Sequence, residues 1–229
     1  MQEAVKPIEC ANVEAKASLG GVGLVKLMGR EAGFITLHAA QASGDVNLVL
    51  IPEAPWRLSK VLAWLEGRLA ARGHAVIVVA EGAESLEQKE AKAAAAAAAA
   101  AGGSAAARAA VDASGNKVLE DVGQYLKEAI NRHFKALGRP MSLKYIDPSY
   151  IIRSSPPCAS DANLCTALAQ NAVHGAMAGY TGVTVGVVEN HYVYLPIAVL
   201  SRMPPRVVDI TGRAYARVCA STGQPKLDD

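Results

Sequence analysis

VGLVKLMGREAGFITLHAAQASGDVNLVLI, residues 22–51, reads as strand, helix, strand. The apolar run Val22–Leu27 is a buried strand. Phe34, Ile35, Leu37, Ala39 and Ala42 give Glu31–Ser43 a helical face, and Gly44 is its stop signal. Val46–Ile51, rich in Leu and β-branched residues and closed by Pro52, has the pattern of a strand covered on both faces. The alternation continues downstream. Leu58, Val61, Leu62, Leu65 and Leu69 form one stripe of a helix over Leu58–Arg72, capped by Gly73. Ala75–Ala80 is another short apolar strand, running into Glu81-Gly82. The order β-α-β-α-β predicts an α/β fold built on a doubly wound, Rossmann-like parallel sheet with right-handed crossovers. Ligands of such sheets gather at the carboxyl ends of the strands, where Arg30 and Glu81 both fall.

Working outward, residues 10–19 are compatible with a helix. Residues 84–114 change character. Unbroken alanine over Ala93–Ala101, then Gly-Gly-Ser and more alanine, predict a low-complexity surface insertion, partly helical or disordered. Order is expected to resume at Gly115. Val118, Val122, Leu126, Ile130 and Phe134 predict a helix over Val118–Leu137. Leu143–Ile152 is strand-like, interrupted at Pro148. Ala159–Ala178 reads as a long helix started near Ser160 or Asp161, followed by a turn over Gly179–Gly182. Val183–Val188 and Tyr192–Pro196 predict a hairpin around Glu189-Asn190-His191, and a last helix falls near Arg213–Ser221.

Composition narrows the function classes. The chain has 229 residues, 51% of them hydrophobic, enough for a sizeable core in one large or two small domains. A net charge of +2, with no basic run interleaved with aromatics, argues against nucleic acid. Cys10, Cys158, Cys165 and Cys219 lack the spacing of a zinc or redox motif and read as free thiols; no metal site is expected from them. No secretory signal opens the chain, and no apolar stretch reaches the ~20 residues of a membrane span, so no membrane partner is expected.

Three strand-end elements carry the chemistry: Met28-Gly29-Arg30, Ala80-Glu81-Gly82, and Lys144-Tyr145-Ile146-Asp147-Pro148 leading to Tyr150-Ile151-Ile152-Arg153. Arginine holds phosphate through a planar fork of donors. Arg30, placed where a strand gives way to a helix, is suited to an anion that the helix N–H groups also attract. A carboxylate such as Glu81 repels phosphate but accepts hydrogen bonds from sugar hydroxyls. Together these groups suit a phosphorylated sugar. Taken singly, each residue reads first as structural, Arg30 as a surface arginine and Tyr150 as a half-buried packing residue.

The segments GLVKLMGREAGFI, LIPE, VIVVAEGA, ASGNK-LEDVG, LKYIDPSYIIRS and LAQNAVHGAMAGYTGVTVG occur in the same order in the plant and protist type of ATP-dependent 6-phosphofructokinase, which the chain resembles outside the alanine insertion. The resemblance implies that Met28, Gly29, Arg30, Glu81, Tyr150, Ile151, Ile152 and Arg153 bind fructose 6-phosphate. Arg30 is expected beside the transferring phosphoryl group as the catalytic, transition-state-stabilising cation. Arg153, with Tyr150, is expected on the 6-phosphate. Lys144 is a further candidate for a phosphate contact across a subunit boundary, and Glu53 is expected to be a strand-end structural residue.

The family's glycine-rich nucleotide loop, and its Thr-Ile-Asp-Asn-Asp element whose aspartate acts as base, are not among these residues. Gly20-Gly21-Val22-Gly23 precedes a strand rather than a helix, and Asp147 belongs to a different element. The resemblance is therefore to the C-terminal half of the enzyme, inactive alone. It implies a fructose 6-phosphate-binding lobe over 1–153 with the insertion at 84–114, an incomplete segment of the nucleotide lobe over 154–206, and a C-terminal tail over 207–229. It further implies a glycolytic, allosteric kinase transferring phosphoryl from ATP, with Mg²⁺ carried on the nucleotide and held mainly outside these residues. A homo-oligomer, dimer or tetramer, and a cytoplasmic location are expected, with the plastid as the alternative. The competing readings are a pyrophosphate-dependent phosphofructokinase, a non-catalytic sugar-phosphate-binding or regulatory lobe, and a generic Rossmann-like domain.

Overall fold

The computed structural model describes residues 1–101 and 119–228, with side chains from 99 to 101 left out of the description. The expectations for the insertion beyond residue 101, for Gly115 and for Val118 lie outside the described residues. The chain divides into two compact units, Met1–Arg153 with Val207–Asp229, and Ser154–Arg206.

The first unit is built on four parallel strands, β1 Gly21–Leu27, β2 Leu48–Leu50, β3 His74–Ala80 and β4 Ser142–Ile146, in the order β2-β3-β1-β4. Alternation along β1 and β3 sorts the side chains into two cores. Val22, Leu24, Ile77 and Val79 face one side, with Val61 and Leu65 of helix α3 (Leu58–Arg72) and Leu126 and Ile130 of α5 (Val122–Ala136). Val25, Leu27, Val76 and Val78 face the other. They pack against Ile8 and Ala11 of α1 (Gln2–Lys16), Leu37 of α2 (Phe34–Ser43) and Val218 of α9 (Arg213–Thr222). Both faces are covered, as the apolar strands predict. Each fully buried aliphatic side chain contributes roughly 1.5–3 kcal/mol relative to exposure.

Several element bounds differ from the sequence pattern, each for a physical reason. Helix α1 begins at Gln2 and encloses Pro7, whose ring ordinarily breaks a helix. Ala4, Ile8, Ala11 and Ala15, each at most 1% exposed, hold that face against the sheet. Helix α4 (Leu86–Ala101) starts at a reciprocal capping box. The Gln88 amide N–H donates to Ser85 Oγ, and the Ser85 amide donates to Gln88 Oε1, both at 3.1 Å. Helix α5 starts at Val122 because Asp121 caps it, accepting from the amides of Gly123 and Gln124. The strand expected over Leu143–Ile152 ends at Ile146. Beyond Pro148 the chain turns into a short helix, α6 (Ser149–Arg153), with Asp147 accepting from the Ser149 amide at 3.2 Å.

The second unit holds α7 (Ala159–Met177), the antiparallel pair β5 (Val183–Val188) and β6 (His191–Pro196), and the short helix α8 (Ile197–Leu200). Glu189 and Asn190, at φ 48° and 66°, make the two-residue turn of the hairpin. The Tyr194 hydroxyl donates to the Asn171 carbonyl at 2.8 Å, fastening β6 to α7.

Candidate functional site

Because β1 lies between β3 and β4, the carboxyl ends of these three strands are neighbours, with Leu27 opposite Ala80 and Val25 opposite Ile146. The loops after β1 and β3 are zipped together. The Glu81 amide donates to the Leu27 carbonyl at 2.9 Å, and the Gly82 amide to the Gly29 carbonyl at 3.0 Å. In return the Gly29 amide reaches Glu81 Oε1 at 3.5 Å. Two glycines permit this. Gly29 has φ +144°, which L side chains rarely adopt, and a Cβ on Gly82 would stand 1.7 Å from the Arg30 carbonyl oxygen. The structure thus brings Met28, Gly29, Arg30 and Glu81 together; Arg30 is exposed and Glu81 half-buried.

The helix after this loop begins later than the sequence pattern predicts. Helix α2 starts at Phe34, with Gly33 as its N-cap, rather than at Glu31, so Arg30 stands four residues ahead of the helix. The Gly33 amide is already taken by the Glu53 carboxylate, at 3.0 and 3.1 Å. Glu53 Oε1 also accepts from the Val208 amide at 2.8 Å. A carboxylate satisfies a helix N-terminus, and here that task falls to Glu53 instead of a bound anion. The same side chain ties the end of β2 to the returning C-terminal segment, a structural role.

At the end of β4 the structure assembles a cluster that motif reading does not single out. Lys26, whose side chain is 12% exposed, places Nζ 2.8 Å from Asp147 Oδ2 and 3.1 Å from Asp121 Oδ2. The Tyr145 hydroxyl donates to Asp121 Oδ1 at 3.2 Å. Burial works against the charge on Lys26, but the bonds to Asp147 and Asp121 outweigh it and raise the pKa. Burial likewise opposes ionisation of both carboxylates. Backbone donation from Gln124 and the bond from Lys26 outweigh it at Asp121, and the bonds from Lys26 and Ser149 do so at Asp147, so both lie below the usual carboxylate value. Burial pushes the Tyr145 phenol up to about 12. The available signal was a lone cation inside the apolar run Val22–Leu27, a position that demands partners.

Tyr150, Ile151, Ile152 and Arg153 lie on α6, not on a strand. Tyr150 and Ile151 are 82% and 65% exposed, while Ile152 packs against the core shared by α1 and α2. Tyr150 and Arg153, three residues apart on one helical turn, line a pocket of about 270 Å³ with Asp147 and Ser149. Lys144 stands apart. It is exposed and sits two residues before Ile146, the carboxyl end of β4, about 7 Å of strand back from it, and it is not among the residues that line the pocket with Tyr150 and Arg153. Among the described residues no group of three or more His, Cys, Asp or Glu is placed to hold a metal ion.

Chemically, the zipped loops carry the Arg30 guanidinium and the Glu81 carboxylate, while α6 carries the Tyr150 phenol and the Arg153 guanidinium in a pocket whose lining includes neither Arg30 nor Glu81; guanidinium and phenol donors suit a phosphate, and a carboxylate suits hydroxyl groups. The phosphofructokinase family model matches residues 1–176. The chain is 44% identical over 230 residues to ATP-dependent 6-phosphofructokinase 5, chloroplastic, of Arabidopsis thaliana, a match covering 98% of this chain and 39% of that protein. It is 41% identical over 236 residues to the ATP-dependent 6-phosphofructokinase of Borreliella burgdorferi, covering 98% of this chain and 48% of that one. Among solved structures, the pyrophosphate-dependent phosphofructokinase of Marinobacter aquaeolei aligns over 100% of this chain and 54% of its own, with TM-score 0.64 and 18% identity. That likeness shows the fold alone. The chain spans less than half the length of these two curated relatives.

Proposed function

The chain belongs to the phosphofructokinase family, and from that premise we propose that it supplies the fructose 6-phosphate-binding half of an ATP-dependent 6-phosphofructokinase. The observation that carries this reading is the zipping of Met28-Gly29-Arg30 to Glu81-Gly82 at neighbouring strand ends; the pocket that Tyr150 and Arg153 line after β4 supports it. Arg153 and Tyr150 hold the 6-phosphate, and Glu81 accepts from the sugar hydroxyls. Arg30 lies against the transferring group, where a cation offsets charge that develops on the phosphoryl oxygens. The 1-hydroxyl of the sugar attacks the γ-phosphorus of ATP, ADP leaves, and the hydroxyl proton passes to a base outside these residues. Positioning is the main contribution such a site makes to phosphoryl transfer. Mg²⁺ held on the nucleotide would offset the charge of its phosphates; among the described residues no group of three or more His, Cys, Asp or Glu is placed to hold it.

The names of the curated relatives favour ATP over pyrophosphate as the donor. Assembly as a homo-oligomer follows from the same reading, as does a cytoplasmic location, with the plastid as the alternative. No described helix is long and apolar enough to cross a membrane. A second reading is a non-catalytic sugar-phosphate-binding lobe, supported by the kind of groups these residues supply: Arg30, Glu81, Tyr150 and Arg153 suit the holding of a sugar phosphate. A coupled assay of fructose 1,6-bisphosphate formation by the purified chain, with fructose 6-phosphate binding followed alongside, separates the two. Turnover abolished by Arg153→Ala supports catalysis. Binding without turnover supports the lobe. Neither turnover nor binding overturns both.

A further inference from the structure

Lys26 is the penultimate residue of the central strand β1, between Val25 and Leu27, both 0% exposed. It faces the side of Val22 and Leu24, toward the start of α5. An ammonium group in such a strand is costly unless it is paired, and here it is paired twice. The two carboxylates share one pattern. Each gives one oxygen, Oδ2, to Lys26 and uses the other to hold the start of a helix. Asp121 Oδ1 accepts from the amides of Gly123 and Gln124 at 3.0 and 3.2 Å. Asp147 Oδ1 accepts from the amide of Ser149 at 3.2 Å and from its hydroxyl. A single ammonium therefore fastens the first turns of α5 and α6 to the carboxyl end of β1.

We propose that Lys26 is a positioning residue for the sugar-phosphate site, locking α6, and with it Tyr150 and Arg153, to the strand that carries Arg30. The proposal rests on the function argued above and adds a residue to that site. Lys26 and Arg30 are four residues apart on one continuous backbone, and Asp147 is three residues from Tyr150 and six from Arg153. The Lys26–Asp147 bond is thus a short rigid link between the two arginines assigned to the two ends of the substrate. Helix α6 is five residues long, and Ile152 is its side chain that packs on the core. Without the ammonium, Asp121 and Asp147 also face each other as like charges and push α5 and α6 apart.

The test compares the wild-type chain with Lys26→Met, Lys26→Arg, Asp147→Asn and the double variant Lys26→Met/Asp147→Asn. Fructose 6-phosphate titration is read beside amide hydrogen exchange over residues 149–153, where the Ile152 amide donates to the Pro148 carbonyl at 3.0 Å. Lys26→Met is expected to weaken fructose 6-phosphate by about tenfold or more, the scale of a misplaced binding group, and to speed exchange at Ile152. Lys26→Arg restores most of both. The double variant is no weaker than the worse single one, since both changes break one link. Wild-type affinity and unchanged exchange in Lys26→Met, with or without a lower melting temperature, overturn the proposal. If the wild-type chain binds no fructose 6-phosphate, the proposed function fails with it. The exchange comparison then decides separately whether Lys26 locks α6.

Discussion

The Gly82 amide donates to the Gly29 carbonyl at 3.0 Å, so the loops that carry Glu81 and Arg30 are held as one body. Gly82→Ala breaks that arrangement, because the added carbon would stand 1.7 Å from the Arg30 carbonyl oxygen. The expected result is loss of fructose 6-phosphate binding in titration. Urea denaturation is expected to show an accompanying cost of about 1–3 kcal/mol, typical of overpacking.

Glu53 anchors the start of α2 and the returning C-terminal segment through the Gly33 and Val208 amides. Glu53→Ala leaves both donors without their partner and is expected to destabilise the chain by about 1–3 kcal/mol. Glu53→Gln retains an acceptor oxygen and is expected to fall between wild type and Glu53→Ala. Urea midpoints for the three proteins check the order.

Folding lowers the pKa of Asp121 and of Asp147 below the ordinary value of 3.8. In the acid range between the folded and unfolded values the unfolded chain therefore binds more protons than the folded one, and stability falls as pH falls. Their contribution is complete above the unfolded value and is lost as pH drops through the folded values. Stability measured from pH 6 down to pH 3 should decline in wild type, with a shallower decline in Lys26→Met, which has already lost the pairing.

The C-terminal segment covers the exposed edge of the sheet along β2. Gln224 mimics a strand partner: Oε1 accepts from the Val49 amide at 2.8 Å, and Nε2 donates to the Val49 carbonyl at 3.4 Å. The Arg57 amide donates to the Leu227 carbonyl at 2.8 Å. Gln224→Ala is expected to cost about 1 kcal/mol and to speed amide exchange at Val49.

The central strands and α3 were legible because their apolar runs and stripes are local signals. Strand β1 starts one residue before the run Val22–Leu27, and α3 spans the stripe from Leu58 to Arg72. Tyr150, Ile151 and Ile152 of helix α6 carry a strand pattern, since all three favour strands by composition. Five residues are also too few to display a helical period. The first two turns of α1 were hidden by Pro7, whose cost is met only by packing against the sheet. Met28, Gly29, Arg30 and Glu81 were brought to one rim because strand ends of a parallel sheet share a side. The role of Lys26 is not legible locally because its partners are remote: Asp121 lies 95 positions away in the chain. Nothing local to Val22–Leu27 names them.

The central claim, that Arg30 and Arg153 form the two ends of a fructose 6-phosphate site, is tested most directly by calorimetric titration of the purified chain with fructose 6-phosphate. Wild type is expected to bind saturably. Arg30→Ala and Arg153→Ala are each expected to bind about tenfold or more weakly, the scale of one charge-assisted hydrogen bond. No saturable binding by wild type, or wild-type affinity in both variants, would contradict the account.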